Sequence, residues 1–150
     1  MTPQTFKELI DFAINEETEA AAFYTKLAGE VKDENVRKTL LGFAEQERGH
    51  QAKLEAVRDG IANAKIRENV PDLKISDYMV EVDENENLSL QGALTIAMKK
   101  EKAAYRMYTN MAEATDDPEI QKTLRFLAQE EAAHKLGFEV EYEAMVFQEH

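Results

Sequence analysis

Apolar residues recur at three- and four-residue steps in four long stretches of the chain, the spacing of one buried helix face. In the first, Phe6, Leu9, Ile10, Ala13, Ala20, Tyr24, Leu27 and Ala28 form the stripe, Thr2-Pro3 or Thr5-x-x-Glu8 can start it, and it should end near Val31. Asp33 is a cap for a second helix with Val36, Leu40, Phe43, Ala44 and Leu54 inward, running to about Gly60. Ser89 opens a third, with Leu94, Ala97, Met98, Ala104, Tyr105, Tyr108, Met111 and Ala112 inward. Asp117-Pro118 opens a fourth, carrying Ile120, Leu124, Leu127, Phe138 and Tyr142 nearly to the end. Residues 61–88 break the rhythm with Val70-Pro71-Asp72 and the polar run Asp83-Glu84-Asn85-Glu86-Asn87, while Leu73, Ile75, Tyr78, Val80 and Val82 are apolar enough to lie on the bundle. The pattern predicts an all-α four-helix bundle in a single domain, 1–150.

The second half repeats the first at an offset of 84 residues. Over Ala13 to Glu55, 14 of 43 positions are identical to the residue 84 further on, among them Ala13/Ala97, Ala20/Ala104, Tyr24/Tyr108, Asp33/Asp117, Leu40/Leu124 and Ala44/Ala128. The bundle is thus predicted to be two copies of one helical hairpin. A connection of this length between the second and third helices can cross the whole bundle, making those helices parallel and relating the hairpins by a pseudo-twofold axis.

Six polar residues sit inside the apolar stripes, where an unpaired charge is costly. They are Glu17, Glu47, His50, Glu101, Glu131 and His134, and all six obey the repeat. Each hairpin carries one Glu-x-x-His, whose side chains lie about 60° apart around the axis and about 4.5 Å along it and can converge on one ion. A lone Glu-x-x-His is weak evidence, because this chain is rich in glutamate; the duplicated set is not. Glu17 and Glu47 lie at similar distances from the cap Asp33, as do Glu101 and Glu131 from Asp117, so all six are expected at one level.

Four buried carboxylates need neutralising, and two divalent cations balance them. We expect Glu17 and Glu101 as terminal ligands, His50 and His134 as one imidazole per metal, and Glu47 and Glu131 as bridges between ions roughly 3.5–4 Å apart. Oxygen and nitrogen ligands suit iron or manganese, and zinc fits them too. Tyr24 and Tyr108 are read as buried aromatics whose hydroxyls orient a ligand carboxylate, with a direct part in the redox chemistry as the alternative. Met98, Met107 and Met111 are core filler, Glu16, Glu19, Glu45 and Glu130 are read as solvated surface, and His150 is assigned nothing.

Composition narrows the partners. A net charge of −12 argues against nucleic acid and anionic membranes, and no apolar run is long enough to span a bilayer. The absence of cysteine excludes thiolate sites and disulfides within this sequence and, with no signal-peptide pattern at the start, fits a cytoplasmic location. Apolar residues in the connection, and an outer face with Ala21 and Ala22 beside Phe23, predict a homodimer, with a hairpin exchanged between chains as one form of it.

Glu17-x-x-Ala20-x-x-Phe23-Tyr24, Glu47-x-x-His50, Glu101-x-x-Ala104-x-x-x-Tyr108, Glu131-x-x-His134 and the connecting Leu73-Lys74-Ile75-Ser76-Asp77-Tyr78 resemble the motifs of the rubrerythrin family, within the ferritin-like di-iron carboxylate proteins. The resemblance implies a ferritin-like bundle, a di-iron centre and peroxidase or oxidase activity toward hydrogen peroxide or dioxygen. Two departures stand out. Rubrerythrins usually carry a cysteine-ligated rubredoxin domain, so here electrons are expected from a separate protein such as a rubredoxin. Many also carry a further ligand Glu one turn along the third helix, where this chain has Ala104. The alternatives are a di-manganese catalase-like enzyme and an iron-binding ferroxidase or storage protein; the fourth helix leaves no room for the fifth helix of ferritin cages, which lowers the storage reading.

Overall fold

A computed structural model describes residues 1–61, 65–71, 73–81 and 89–148. Four helices account for most of it: α1 Pro3–Glu30, α2 Glu34–Gly60, α3 Leu90–Glu113 and α4 Pro118–Gln148, with a short 3-10 helix, Ile75–Tyr78, in the connection. The expected caps are all in use. Thr2 accepts from the Thr5 amide, Asp33 from Asn35 and Val36, Ser89 from Gly92, and Asp117 from Glu119 and Ile120. Each satisfies donors that the first turn of a helix leaves unpaired, worth about 1 kcal/mol apiece.

The connection does cross the bundle. The bridge between Ile66 and Thr115 and the hydrogen bonds from Arg67 N to Ala114 O (2.8 Å) and Thr115 Oγ1 to Lys65 O (2.7 Å) tie its start to the α3–α4 turn. Met1 is bound there as well, its ammonium group donating to the carbonyls of Arg67, Glu68 and Val70. Since α3 begins at the opposite end, α2 and α3 run parallel, as the repeat requires.

Two apolar layers fill the bundle. One end holds Phe6, Leu9, Ile10, Leu54, Met111, Leu124 and Leu127; the other holds Leu27, Val31, Leu40, Leu94 and Phe138. Between them the lining turns polar. Several outer positions differ from expectation. Tyr105 is 42% exposed, because Met107 takes the inward place on that turn of α3. Ile75 is 36% exposed, whereas Tyr78 from the same segment is buried. Ala21, expected outside, is 4% exposed, so the outer apolar face of α1 that supported association is narrower than the sequence implied. Val82, the acidic run 83–87, Asp72 and His150 lie outside the described residues.

Candidate metal centre

All six sequence-predicted ligands are at most 3% exposed, and they meet in the polar layer. Helix polarity explains how. α1 and α3 run antiparallel, so a residue seven positions on in one helix faces the residue seven positions back in the other. Tyr108 therefore meets Glu17, donating its hydroxyl to Oε1 at 2.5 Å, and Tyr24 donates in the same way to Glu101 Oε1. The same rule with a spacing of three governs α2 and α4: His50 Nδ1 lies 2.7 Å from Glu131 Oε1, and His134 Nδ1 lies 2.7 Å from Glu47 Oε1. The two imidazoles stack nearly parallel, 5.9 Å between centroids.

The six form two overlapping sets. One ligand atom from each of Glu17, Glu47, His50 and Glu131 lies within 4.8 Å of the others, and so does one from each of Glu47, Glu101, Glu131 and His134. Glu47 and Glu131 belong to both, the positions expected of shared carboxylates.

The atoms left without partners test whether these residues fit metals. Among the described residues, Glu17 Oε2, Glu47 Oε1, Glu101 Oε2 and His134 Nδ1 are buried without a hydrogen bond. Such groups ordinarily cost about 1–3 kcal/mol each to bury. In Glu17 and Glu101 a tyrosine occupies one oxygen and leaves the other free. His134 Nδ1 and Glu47 Oε1 lie 2.7 Å apart yet form no hydrogen bond with each other. Buried, unpartnered oxygens and an imidazole nitrogen are the donor set of a first-row divalent metal, and the fit is good.

Electrostatics agree. Burial pushes the Glu47 carboxyl far above the usual carboxylate range, reinforced by the neighbouring carboxyls of Glu17 and Glu101. Burial also raises Glu101, against the neighbouring His134 and the hydrogen bond from Tyr24. For Glu17, burial acts upward, but the neighbouring Glu47 carboxyl, His50 and the hydrogen bond from Tyr108 hold it below its usual value. Burial and then neighbouring carboxylates raise both tyrosines well above the ordinary phenol, keeping them protonated donors. Without cations the cluster keeps protons in their place.

A cavity of about 30 Å³ reaches the cluster from the α1–α3 side. The repeat pair Ala20 and Ala104 makes the room, Glu47 and Glu131 form part of its wall, and Tyr78 and Val80 of the connection cover it. Glu16 and Lys100, another repeat pair, line it as well. Glu16 is therefore half-buried and its carboxyl raised by burial, rather than fully solvated.

Gln46 was not singled out in the sequence, and its Oε1 accepts from His134 Nε2. Nothing in a one-chain pattern marks it, since its partner sits on a different helix; only the Glu-x-x-His frame, which places it beside Glu47, gave a hint.

The model of the rubrerythrin family matches residues 8–142. The chain belongs to that family. Among solved structures, a hypothetical protein from Pyrococcus furiosus is 26% identical, with 95% of this chain and 91% of that one covered and a TM-score of 0.77. A provisionally named ferritin-like diiron-carboxylate protein of Thermotoga maritima is 23% identical, with coverage of 92% and 94% and a TM-score of 0.74. No curated protein matches the chain. The ferritin-like four-helix fold is thus established, and the buried Glu/His cluster of this rubrerythrin-family chain is compatible with a di-iron site. No helix among the described residues is long and apolar enough to cross a membrane.

Proposed function

We propose that the protein is a di-iron oxidoreductase that reduces hydrogen peroxide, or dioxygen, with electrons from an external donor protein such as a rubredoxin. The observation that carries this reading is the cavity. It touches both shared carboxylates, lies on the side away from the histidines, and at about 30 Å³ has room for little more than one or two water-sized molecules. A passage this narrow beside the carboxylates suits peroxide or dioxygen better than an organic substrate. Glu17, Glu47, His50, Glu101, Glu131 and His134 would hold two iron ions, which when bound supply the electrons passed to the oxidant. Iron is preferred over zinc for that reason, with manganese as the other redox-capable occupant.

The chain's own residues set the conditions. Tyr24 and Tyr108 fix the rotamers of Glu101 and Glu17, holding one oxygen of each and presenting the other inward. Ala20 and Ala104 keep the approach open, and the flanking apolar layers exclude bulk water. Reducing one hydrogen peroxide to two waters consumes two electrons and two protons. These 150 residues hold no cysteine to bind an iron-sulfur or rubredoxin-type iron, which supports a separate donor as the source of the electrons. A cytoplasmic setting and a homodimer complete the proposal.

The test is metal content after purification without added metal, followed by peroxide-dependent oxidation of reduced rubredoxin. Two irons per chain and turnover abolished by Glu131→Ala support the reading. Iron that is oxidised and then retained as mineral, with no donor oxidation, would replace it with the storage reading.

A further inference from the structure

The internal repeat makes the two halves of the centre nearly equivalent in their ligands, and so exposes where their surroundings are not. His134 is held on two sides. Gln46 Oε1 can only accept, so His134 Nε2 carries the hydrogen and Nδ1 presents its lone pair to Glu47 and Glu101. The Phe43 ring stacks on the imidazole at 4.4 Å and 29°. Phe43 is itself wedged, edge-on to Phe138 at 5.1 Å and so close to Gly137 that a Cβ there would lie 2.8 Å from its ring.

His50 has none of these supports. In the repeat, Leu127 stands where Phe43 does, Glu130 where Gln46 does, and Lys53 where Gly137 does. His50 Nε2 is buried with no hydrogen-bond partner among the described residues. Its Nδ1, the nitrogen turned toward the cluster, is hydrogen-bonded to Glu131 and must give up that bond to bind anything else. His134 Nδ1 lies equally near Glu47 Oε1, at 2.7 Å, but forms no hydrogen bond with it.

We infer that the two metal positions are inequivalent: the Glu101–His134 half is preorganised and fills first, the Glu17–His50 half fills second, and Gln46 is the positioning residue that sets the order. This rests on the two-metal reading above. The cause is the outer hydrogen bond to a ligand histidine, which fixes tautomer and ring orientation, and whose loss typically weakens metal binding by about 10–100-fold. One histidine has it and the other does not. A centre that loads in sequence leaves the position beside His50 as the exchangeable one, so limiting metal gives a one-ion form with a defined location.

Zinc, which does not change oxidation state, is the probe. Crystals of the metal-free protein soaked with one equivalent of Zn(II) per chain should show anomalous density concentrated beside Glu101 and His134. Competition titration against a chelator should resolve two steps. Gln46→Ala should weaken the first by about 10–100-fold and draw the two together. Gln46→Glu keeps an acceptor at the same place and should restore the separation, which a merely structural role for residue 46 would not predict. Helix content and Tm of both variants establish that the fold is intact. Equal occupancy at one equivalent, filling beside His50 first, or two unchanged steps in Gln46→Ala would overturn the inference while leaving the two-metal centre standing. No Zn(II) bound at either position would overturn both.

Discussion

The α1–α2 and α3–α4 hairpins agree in the polar residues of the centre and differ around its histidines. The glutamates, histidines and tyrosines of the centre are identical across the repeat, as are the caps Asp33 and Asp117 and the small pair Ala20 and Ala104. Around the histidines the agreement ends, with Phe43 against Leu127, Gln46 against Glu130 and Leu54 against Phe138. The lesson is which properties a pseudo-twofold centre demands. Charge balance and level must be shared by both halves, because Glu47 and Glu131 belong to both ligand sets. Ring support and hydrogen bonding behind the ligands act on one half at a time and are free to diverge.

The largest expected effect comes from breaking what the halves share. Glu131→Ala removes a carboxylate common to both ligand sets, leaving two cations to repel across a poorly solvated gap. Both sites should weaken, and metal analysis should find far less than two ions per chain. Glu101→Ala removes a residue of one set, where water can substitute, and should lower the stoichiometry toward one. Equal single-ion losses in the two variants would show that the division into shared and terminal carboxylates is wrong.

Blocking the approach should separate binding from turnover. Ala104→Leu fills the cavity from α3 without replacing a ligand. Pocket changes of even one methylene are worth about 10–200-fold in kcat/KM, so peroxide turnover should fall at least that far with two metals still bound. Undiminished turnover would mean that the oxidant enters elsewhere.

Protons and metals compete for the same cluster, which gives a pH signature. Glu47 and Glu101 are raised, so above the ordinary carboxylate value of 4.5 the folded metal-free protein keeps protons that the unfolded chain has released. Folded then binds more protons than unfolded, and stability falls as pH rises beyond that point. Glu17 is lowered and works the other way, but only below 4.5, where its stabilising contribution is lost as pH falls through its folded value. Thermal unfolding of the metal-free protein should therefore move down in temperature between about pH 5 and pH 8, and Zn(II) should flatten the trend. A metal-free Tm that rises over that range would contradict the proton assignment.

Much of this was legible in the sequence because the repeat supplied an internal control. Glu17 among the apolar positions of α1 is ambiguous alone; Glu101 at the same register of the other hairpin makes it a ligand candidate. The caps could be read because Thr2, Asp33, Ser89 and Asp117 act within three residues of themselves. What escaped is whatever depends on how helices are rotated against each other. Gln46 acts on a histidine 88 residues away, Glu16 turns to the cavity rather than to solvent, and Ala21 is covered although its neighbour Ala22 is not. Helical period alone cannot say which flank of an apolar stripe a neighbouring helix covers.

The smallest effect separates the two supports most finely. Glycine inside a helix costs about 1 kcal/mol relative to alanine. Gly49→Ala on α2, where a Cβ would meet nothing within 4 Å, should raise stability by about that amount. Gly137→Ala on α4 should not. Its new Cβ would lie 2.8 Å from the Phe43 Cζ, and that ring has little freedom to withdraw, lying against His134 and Phe138. Overpacking of this kind costs about 1–3 kcal/mol, enough to cancel or reverse the helix gain. Because the displaced ring stacks on His134, the change should also weaken the first Zn(II) step and leave the second, whereas Gly49→Ala should alter neither. Paired urea unfolding and Zn(II) titration of the two variants make the comparison. A Gly137→Ala protein as stabilised as Gly49→Ala, with both steps unchanged, would show that Phe43 yields and does not hold the His134 ring.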